Sequence, residues 1–414
     1  MYAPAPLRRQ LNRSGLLLLG PAFVAAVAYV DPGNFATNIA AGATYGYLLC
    51  WVVVGANLMA VLVQYLAAKA SIATGRTLPQ LCRDHFKRST STGLWAQAEI
   101  VALATDLAEV VGGAIALKLL FHLPLLLGGI ITGAVSFGLL IYQSKRGQRP
   151  FEAAIIGLLA VVLIGFVVST AKSDPSATGV LGGLVPRLDG TQSLVLAAGM
   201  LGATVMPHAI WLHGALVTDR HWKTIRSEHG KSRVLRATRL DVAVAMALAG
   251  AVNLAMVVLA AAALKGTGPE NSGSLDAAHT AIGDRIGHLP ALLFALALLA
   301  SGFASSSVGT YAGSVILDGF WQRRVPLAVR RLLTLIPALL VLAIGIDPSR
   351  ALVISQVVLS FGIPCALWPL VRLTASRRVM GSLVNRRATT LAACLVATAV
   401  TALNVVLIVL TVRG

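Results

Sequence analysis

The sequence predicts an all-α membrane protein of about eleven transmembrane helices, folded as a single domain over residues 1–414. Three observations predict it. The chain is 57% hydrophobic and only 12% charged, with a mean hydropathy of +0.79, which leaves too little polar surface for a soluble protein of 414 residues. Apolar runs of about 20 residues, the length that crosses a hydrocarbon core, recur from end to end. With the N-terminus placed inside, 27 of the 34 Lys and Arg fall in inside segments, the charge bias of a chain whose N-terminus is cytoplasmic and whose C-terminus is extracytoplasmic. The short alternating strands of an outer-membrane barrel are missing, so helices are the remaining way to satisfy the backbone in lipid.

In chain order the apolar spans cover residues 16–44, 46–68, 93–117, 122–143, 151–170, 193–217, 240–264, 289–316, 327–346, 351–371 and 388–411. The first is too long to read as a cleaved signal peptide. The longer loops, 69–92 and 218–239 inside and 171–192 and 265–288 outside, are too small to form a second domain. Cys50, Cys82, Cys365 and Cys394 are scattered and form no CxxC pair, which argues against a disulfide or a thiolate metal site. The Asn12-Arg13-Ser14 sequon falls on the inner side, where it stays unglycosylated. The formal net charge of +18 follows from topology and does not call for nucleic acid.

Two spans carry breaks. The first holds Asp31-Pro32-Gly33-Asn34, and the sixth holds "GATVMPHAIWLH", with Gly202, Met206, Pro207 and His208. Proline removes a backbone donor and clashes with the preceding turn. A helix interrupted there frees carbonyls and amides, which lipid does not tolerate and a protein-lined cavity does. Breaks five spans apart predict two five-helix halves of opposite orientation, with a binding site where the breaks meet. Repeat one covers about 16–170, repeat two about 193–371, and the last helix, about 388–411, is peripheral.

The donors at the breaks are the Asp31 carboxylate, the Asn34 amide oxygen, the Met206 thioether and nearby freed carbonyls such as that of Ala203. A carboxylate at the bilayer centre costs about 2.5–3.5 kcal/mol, a cost a neighbouring cation offsets. Oxygens alone suit Mg²⁺ or Ca²⁺; the thioether shifts the preference toward Mn²⁺, Fe²⁺, Co²⁺ or Cd²⁺. Core filling is the other role open to Met206.

"DPGN" in the first span and "MPH" in the sixth resemble the signatures of the NRAMP family of divalent metal ion transporters. "ATDLAEVVGGAIAL", "SSSVGTYAG" and "VRRLLTLIPAL" extend the resemblance through nearly the whole chain. The resemblance implies a LeuT or amino acid–polyamine–organocation fold with five-plus-five inverted repeats. It also implies proton-coupled import of Mn²⁺ or Fe²⁺, as in bacterial manganese transporters. It gives Asp31, Asn34 and Met206 as side-chain ligands, Ala203 and Ala28 as carbonyl ligands, and Gln356 as a polar group near the metal.

The third span carries Glu99, Asp106 and Glu109 within roughly 80° of helix circumference, at ~100° per residue. An acid stripe on an apolar helix must face partners or water. Arg330 and Arg331, at the inner end of the ninth span, are the candidate partners. The resemblance reads this network as a proton path with Asp31 and His208 at its upper end; His213 is a further member. A salt-bridge ladder that moves no protons is the alternative, and both histidines can serve as structural hydrogen-bonders. Asn253 is read as bonding backbone, Glu152 as favouring a helix N-terminus, and the serines at 305–307 as small packing residues.

These features predict a transporter and not an enzyme. No HExxH pattern and no Walker A loop is present. No cofactor is implied: Mn²⁺ or Fe²⁺ and H⁺ are substrates, and the partners are those ions and the lipid bilayer, with no obligate protein partner. The expected location is a bacterial inner membrane. The rival readings are an amino-acid transporter of the same architecture, a metal-gated channel and a membrane-embedded metalloenzyme.

Overall fold

The computed structural model describes residues 20–265, 274–322 and 325–413. The first stretch of the first span, Arg8, Arg9, Arg13, the Asn12 sequon, Arg323 and Arg324 lie outside the described residues. Among the described residues the chain is helical, with no strand.

The first span is two short helices, α1 (Pro21–Val27) and α2 (Pro32–Tyr45), joined by a single 3-10 turn over Ala28–Val30. Pro32 opens α2, where its missing N–H is one of the helix's unpaired donors anyway. Asp31 sits before it in extended backbone and caps α2, accepting from the Asn34 backbone N–H at 2.8 Å. The chain continues through α3 (Cys50–Thr74), α4 (Leu78–His85), α5 (Arg88–Phe121), α6 (Leu125–Arg146), α7 (Gln148–Lys172) and α8 (Ala177–Gly182). The sixth span is again two helices, α9 (Gly190–Thr204) and α10 (Pro207–His221), with Pro207 opening the second. Then come α11 (Glu228–Ala263), α12 (Leu275–Arg285), α13 (His288–Trp321), α14 (Leu327–Ile344), α15 (Pro348–Thr374), α16 (Arg377–Met380) and α17 (Arg387–Arg413).

Nine stretches among the described residues, α9 and α10 taken together, are long and apolar enough to cross a membrane. The broken α1–α2 pair and the 18-residue α14 make up the expected eleven. The loops differ from expectation. Residues 78–85, 177–182 and 275–285 are short helices, and α11 begins at Glu228, twelve residues before its apolar span. The apolar signal ends at the membrane edge, but a helix continues as far as its cap. Ser227 accepts from the Gly230 N–H at 3.1 Å, and the Thr77 N–H donates to Gln80 at 3.0 Å in a capping box.

Small residues set how closely the breaks approach α15. Gly202 in α9 lies against the Gln356 carbonyl, and Gly33 in α2 lies against the Gln356 side-chain amide. A Cβ at residue 202 meets rigid helix backbone; a Cβ at residue 33 meets a side chain that can swing away. Gly112 of α5 takes the Pro32 ring in the same manner. Overpacking typically costs about 1–3 kcal/mol. Gly202→Ala is therefore expected to lower the melting temperature in detergent clearly more than Gly33→Ala; equal shifts would show that α9 and α15 are not held apart by backbone contact.

Candidate functional site

Asn34 joins the two breaks. Its Nδ2 donates to Asp31 Oδ1 at 2.8 Å and to the Ala203 carbonyl at 2.9 Å, on the last turn of α9. Thr204 Oγ1 donates to Asn34 Oδ1 at 3.4 Å. Asp31, Asn34, Ala28, Ala203 and Met206 are all fully buried, and Met206 caps α10 within the same core that holds Ala28. Gln356 reaches this point from α15, donating to Ser355 Oγ at 3.2 Å. Asp31 Oδ2 and Gln356 Oε1 are buried without a protein partner. Unpaired buried oxygens are rare, because each one forfeits its hydration. Two of them beside one helix break concentrate uncompensated acceptors there, which favours a cation. Among the described residues no group of three or more His, Cys, Asp or Glu is placed to hold a metal ion.

Two of the carbonyls freed by the first break have side-chain partners. Tyr29 O accepts from Asn253 Nδ2 at 2.7 Å, and Val30 O accepts from Ser301 Oγ at 2.5 Å. Asn253 in turn accepts from Asn38 at 3.0 Å. The Tyr29 hydroxyl is tied to Gln64 of α3. Asn253 was legible as a backbone-bonder. Ser301, Thr204 and Gln64 were not, because their roles depend on which helices pack together.

The acid stripe meets both arginines. Arg330 pairs with Glu99: its Nη1 donates to Oε1 at 3.0 Å, and its Nη2 lies 2.7 Å from Oε2 as an ion-pair contact. Arg331, one residue on, pairs with buried Asp106 and also donates to Ser136 at 2.6 Å, Ser306 at 2.7 Å and Thr310 at 3.2 Å. Ser306 donates to Asp106 at 3.4 Å, so it belongs to this network and is not only a packing residue. Ser305 and Ser307 turn back to carbonyls of their own helix. Glu109 is fully buried, and neither of its oxygens has a partner. Gly309 of α13 leaves room for that carboxylate. Glu109 lies within electrostatic reach of both Asp106 and Asp31. His208 Nδ1 is 3.2 Å from Thr105 Oγ1, which attaches it to the acid-bearing helix. His213, five residues on, turns instead to α3, against the backbone of Gln64. Glu152 lies 3.6 Å from Arg220 near the start of α7.

Discontinuous helices that meet at a buried carboxylate, inside an all-helical bundle, define a membrane transporter of the LeuT-type fold. Mhp1, a nucleobase-cation-symport-1 family transporter, shares that fold with a TM-score of 0.62 at 18% identity, over 87% of this chain and 79% of its own. Residues 22–410 match the family described as natural resistance-associated macrophage protein-like, and the chain belongs to this Nramp family. It is 55% identical over 397 residues to the divalent metal cation transporter MntH of Mycobacterium tuberculosis, covering 96% of this chain and 92% of that one. It is 49% identical over 401 residues to the MntH of Bacillus subtilis, covering 96% and 93%. The crystal structure of the Eremococcus coleocola manganese transporter matches with a TM-score of 0.84 at 31% identity, over 98% and 88% of the two chains.

Breaking a buried ion pair by removing one partner leaves the other charge in the core, at a typical cost of about 3–5 kcal/mol. Arg331→Ala is expected to destabilise the protein by that order in denaturation measurements, and Arg331→Leu combined with Asp106→Leu to recover much of the loss. A double variant as unstable as Arg331→Ala would show that the pair is not the source.

Proposed function

We propose that this chain is a carrier, not an enzyme, that imports divalent transition-metal ions across the bacterial inner membrane by alternating access, driven by protons. Mn²⁺ and Fe²⁺ are its substrates, with Cd²⁺ and Co²⁺ able to follow. The names of the relatives support divalent metal transport. The observation that carries the site assignment is the Asn34 amide, which links Asp31 in one break to Ala203 in the other while Asp31 Oδ2 stays buried and unpaired. In this reading Asp31, Asn34 and Met206 bind the ion with side chains, Ala203 and Ala28 bind it with carbonyls, and Gln356 contributes from α15. The amide N–H groups of Asn34 point at acceptors that an ion would claim, so a half-turn of the amide presents its oxygen as the ion arrives.

Protons follow a line that leads away from the ion site in this reading. Asp31 and His208 stand at its upper end, Glu109 and Asp106 below them, and Glu99 with Arg330 and Arg331 toward the basic loops, with His213 as a side branch. Along α5 the three acids span about 15 Å at 1.5 Å per residue. The N-terminus lies in the cytoplasm and the C-terminus outside. The two repeats, about 16–170 and 193–371, move relative to each other around the breaks.

Proteoliposome uptake of Mn²⁺, Fe²⁺, Cd²⁺, Mg²⁺ and Ca²⁺, with and without an inward pH gradient, tests the proposal; accumulation against a metal gradient when driven by pH separates a carrier from a channel. Asp31→Ala should abolish metal uptake, and retained uptake would contradict its role as ligand. Met206→Ala should weaken discrimination against Ca²⁺ more than it weakens Mn²⁺ uptake; vesicles that exclude Ca²⁺ as well as wild type would count against the thioether. Glu109→Gln keeps the shape of a side chain that has no hydrogen-bond partner to lose. It is expected to retain downhill Mn²⁺ uptake and lose pH-driven accumulation, and unchanged accumulation would remove Glu109 from the proton path.

A further inference from the structure

Away from the breaks, a groove of about 710 Å³ runs between α3, α11 and the segment leading into α17, at the basic end of the bundle. Three cations converge on it. Lys69 is 7% exposed and lies within electrostatic reach of Arg239 and Arg386, both on its rim. The Arg239 guanidinium lies 5.4 Å from the centre of the Tyr65 ring and donates to its hydroxyl at 3.1 Å; the Lys69 ammonium lies 6.0 Å from the same ring. Lys69 is fixed by Asn385, whose Oδ1 accepts from it at 2.7 Å and whose Nδ2 donates to Thr374 at 2.9 Å. That anchor is neutral, so it orients the ammonium without cancelling its charge.

No carboxylate among the described residues pairs with any of the three. Glu228, which accepts from Ser382 on the rim at 3.4 Å, is held by Lys231 at 2.8 Å. Like charges gathered around a buried lysine repel each other, and an anion in the groove reverses that cost. The rest of the lining is apolar, with Leu58, Val61 and Leu62 of α3 on one side and Leu235 and Val242 of α11 on the other. Leu58 is 65% exposed, so this wall is continuous with the surface that faces the hydrocarbon. A charged head above an open apolar wall matches an amphiphile, whereas a soluble anion uses only the head.

We propose that this groove binds an anionic phospholipid, with its phosphate among Lys69, Arg239 and Arg386 and an acyl chain along Leu58 and Leu62. Basic pockets between transmembrane helices at a membrane surface recognise such headgroups. The site is separate from the helix breaks and independent of which ion is carried.

The test uses the full chain, delipidated in an uncharged detergent. It is titrated with short-chain phosphatidylglycerol, with phosphatidylcholine of the same chain length, and with inorganic phosphate, and is read by native mass spectrometry and melting temperature. Phosphatidylglycerol is expected to bind and raise the melting temperature at concentrations where phosphatidylcholine and inorganic phosphate do not. Arg239→Gln with Arg386→Gln, two exposed positions, should weaken that binding about 30-fold, and Arg377→Gln with Arg378→Gln should leave it unchanged. Equal binding of the two lipids overturns the proposal, as does wild-type affinity in the Arg239 and Arg386 variant. A full shift with inorganic phosphate alone overturns the lipid assignment. If the variant fails to fold, the comparison of the two lipids on the wild-type chain still decides.

Discussion

A helix interrupted inside an apolar bundle must find a partner for every backbone group it frees, and the rest of this structure is arranged around that requirement. The break at Asp31 is held from four directions. Asn253 of α11 takes the Tyr29 carbonyl, and Ser301 of α13 takes the Val30 carbonyl. The Asp31 carboxylate accepts from the Asn34 amide of α2. Asn34 takes the Ala203 carbonyl across the gap. Each of these bonds in an apolar interior costs more to lose than its counterpart on a wet surface. Among the acceptors the bonds leave over are one carboxylate oxygen, Asp31 Oδ2, and one amide oxygen, Gln356 Oε1, both buried and unpaired beside the break.

The acid-bearing helix divides the charges by the same logic. Arg330 and Arg331 neutralise Glu99 and Asp106, and hydroxyls from α6 and α13 accept from both Arg331 Nη atoms. Glu109, three residues beyond Asp106 toward the break, has no such partner. The two lower acids are thus held in place by fixed cations, whereas the upper one is free of any fixed bond.

Much of this was legible in the sequence because each signal is local. Hydropathy marks the spans, proline marks the breaks, and the 100° advance per residue puts Glu99, Asp106 and Glu109 on one face. The arginine partners follow from their place at the inner end of the ninth span. What was not legible depends on which faces meet. Ser306 reads as a packing residue until α13 is laid against α5, and Ser301 has no signal of its own. Helical arithmetic does separate His213 from His208, since five residues advance about 500°, or 140° around the helix. The short helices in the loops escape hydropathy, although Thr77 and Gln80 carry the spacing of a capping box.

Whether the two breaks share one ion, as proposed, decides the rest. Crystals soaked in Mn²⁺ and measured at the manganese absorption edge test it most directly. One strong anomalous peak is expected within bonding distance of the Asp31 carboxylate and the Ala203 carbonyl, with the Met206 sulfur on its coordination sphere. A peak confined to other carboxylates, with Asp31 and Met206 on opposite sides of the bundle, would contradict it.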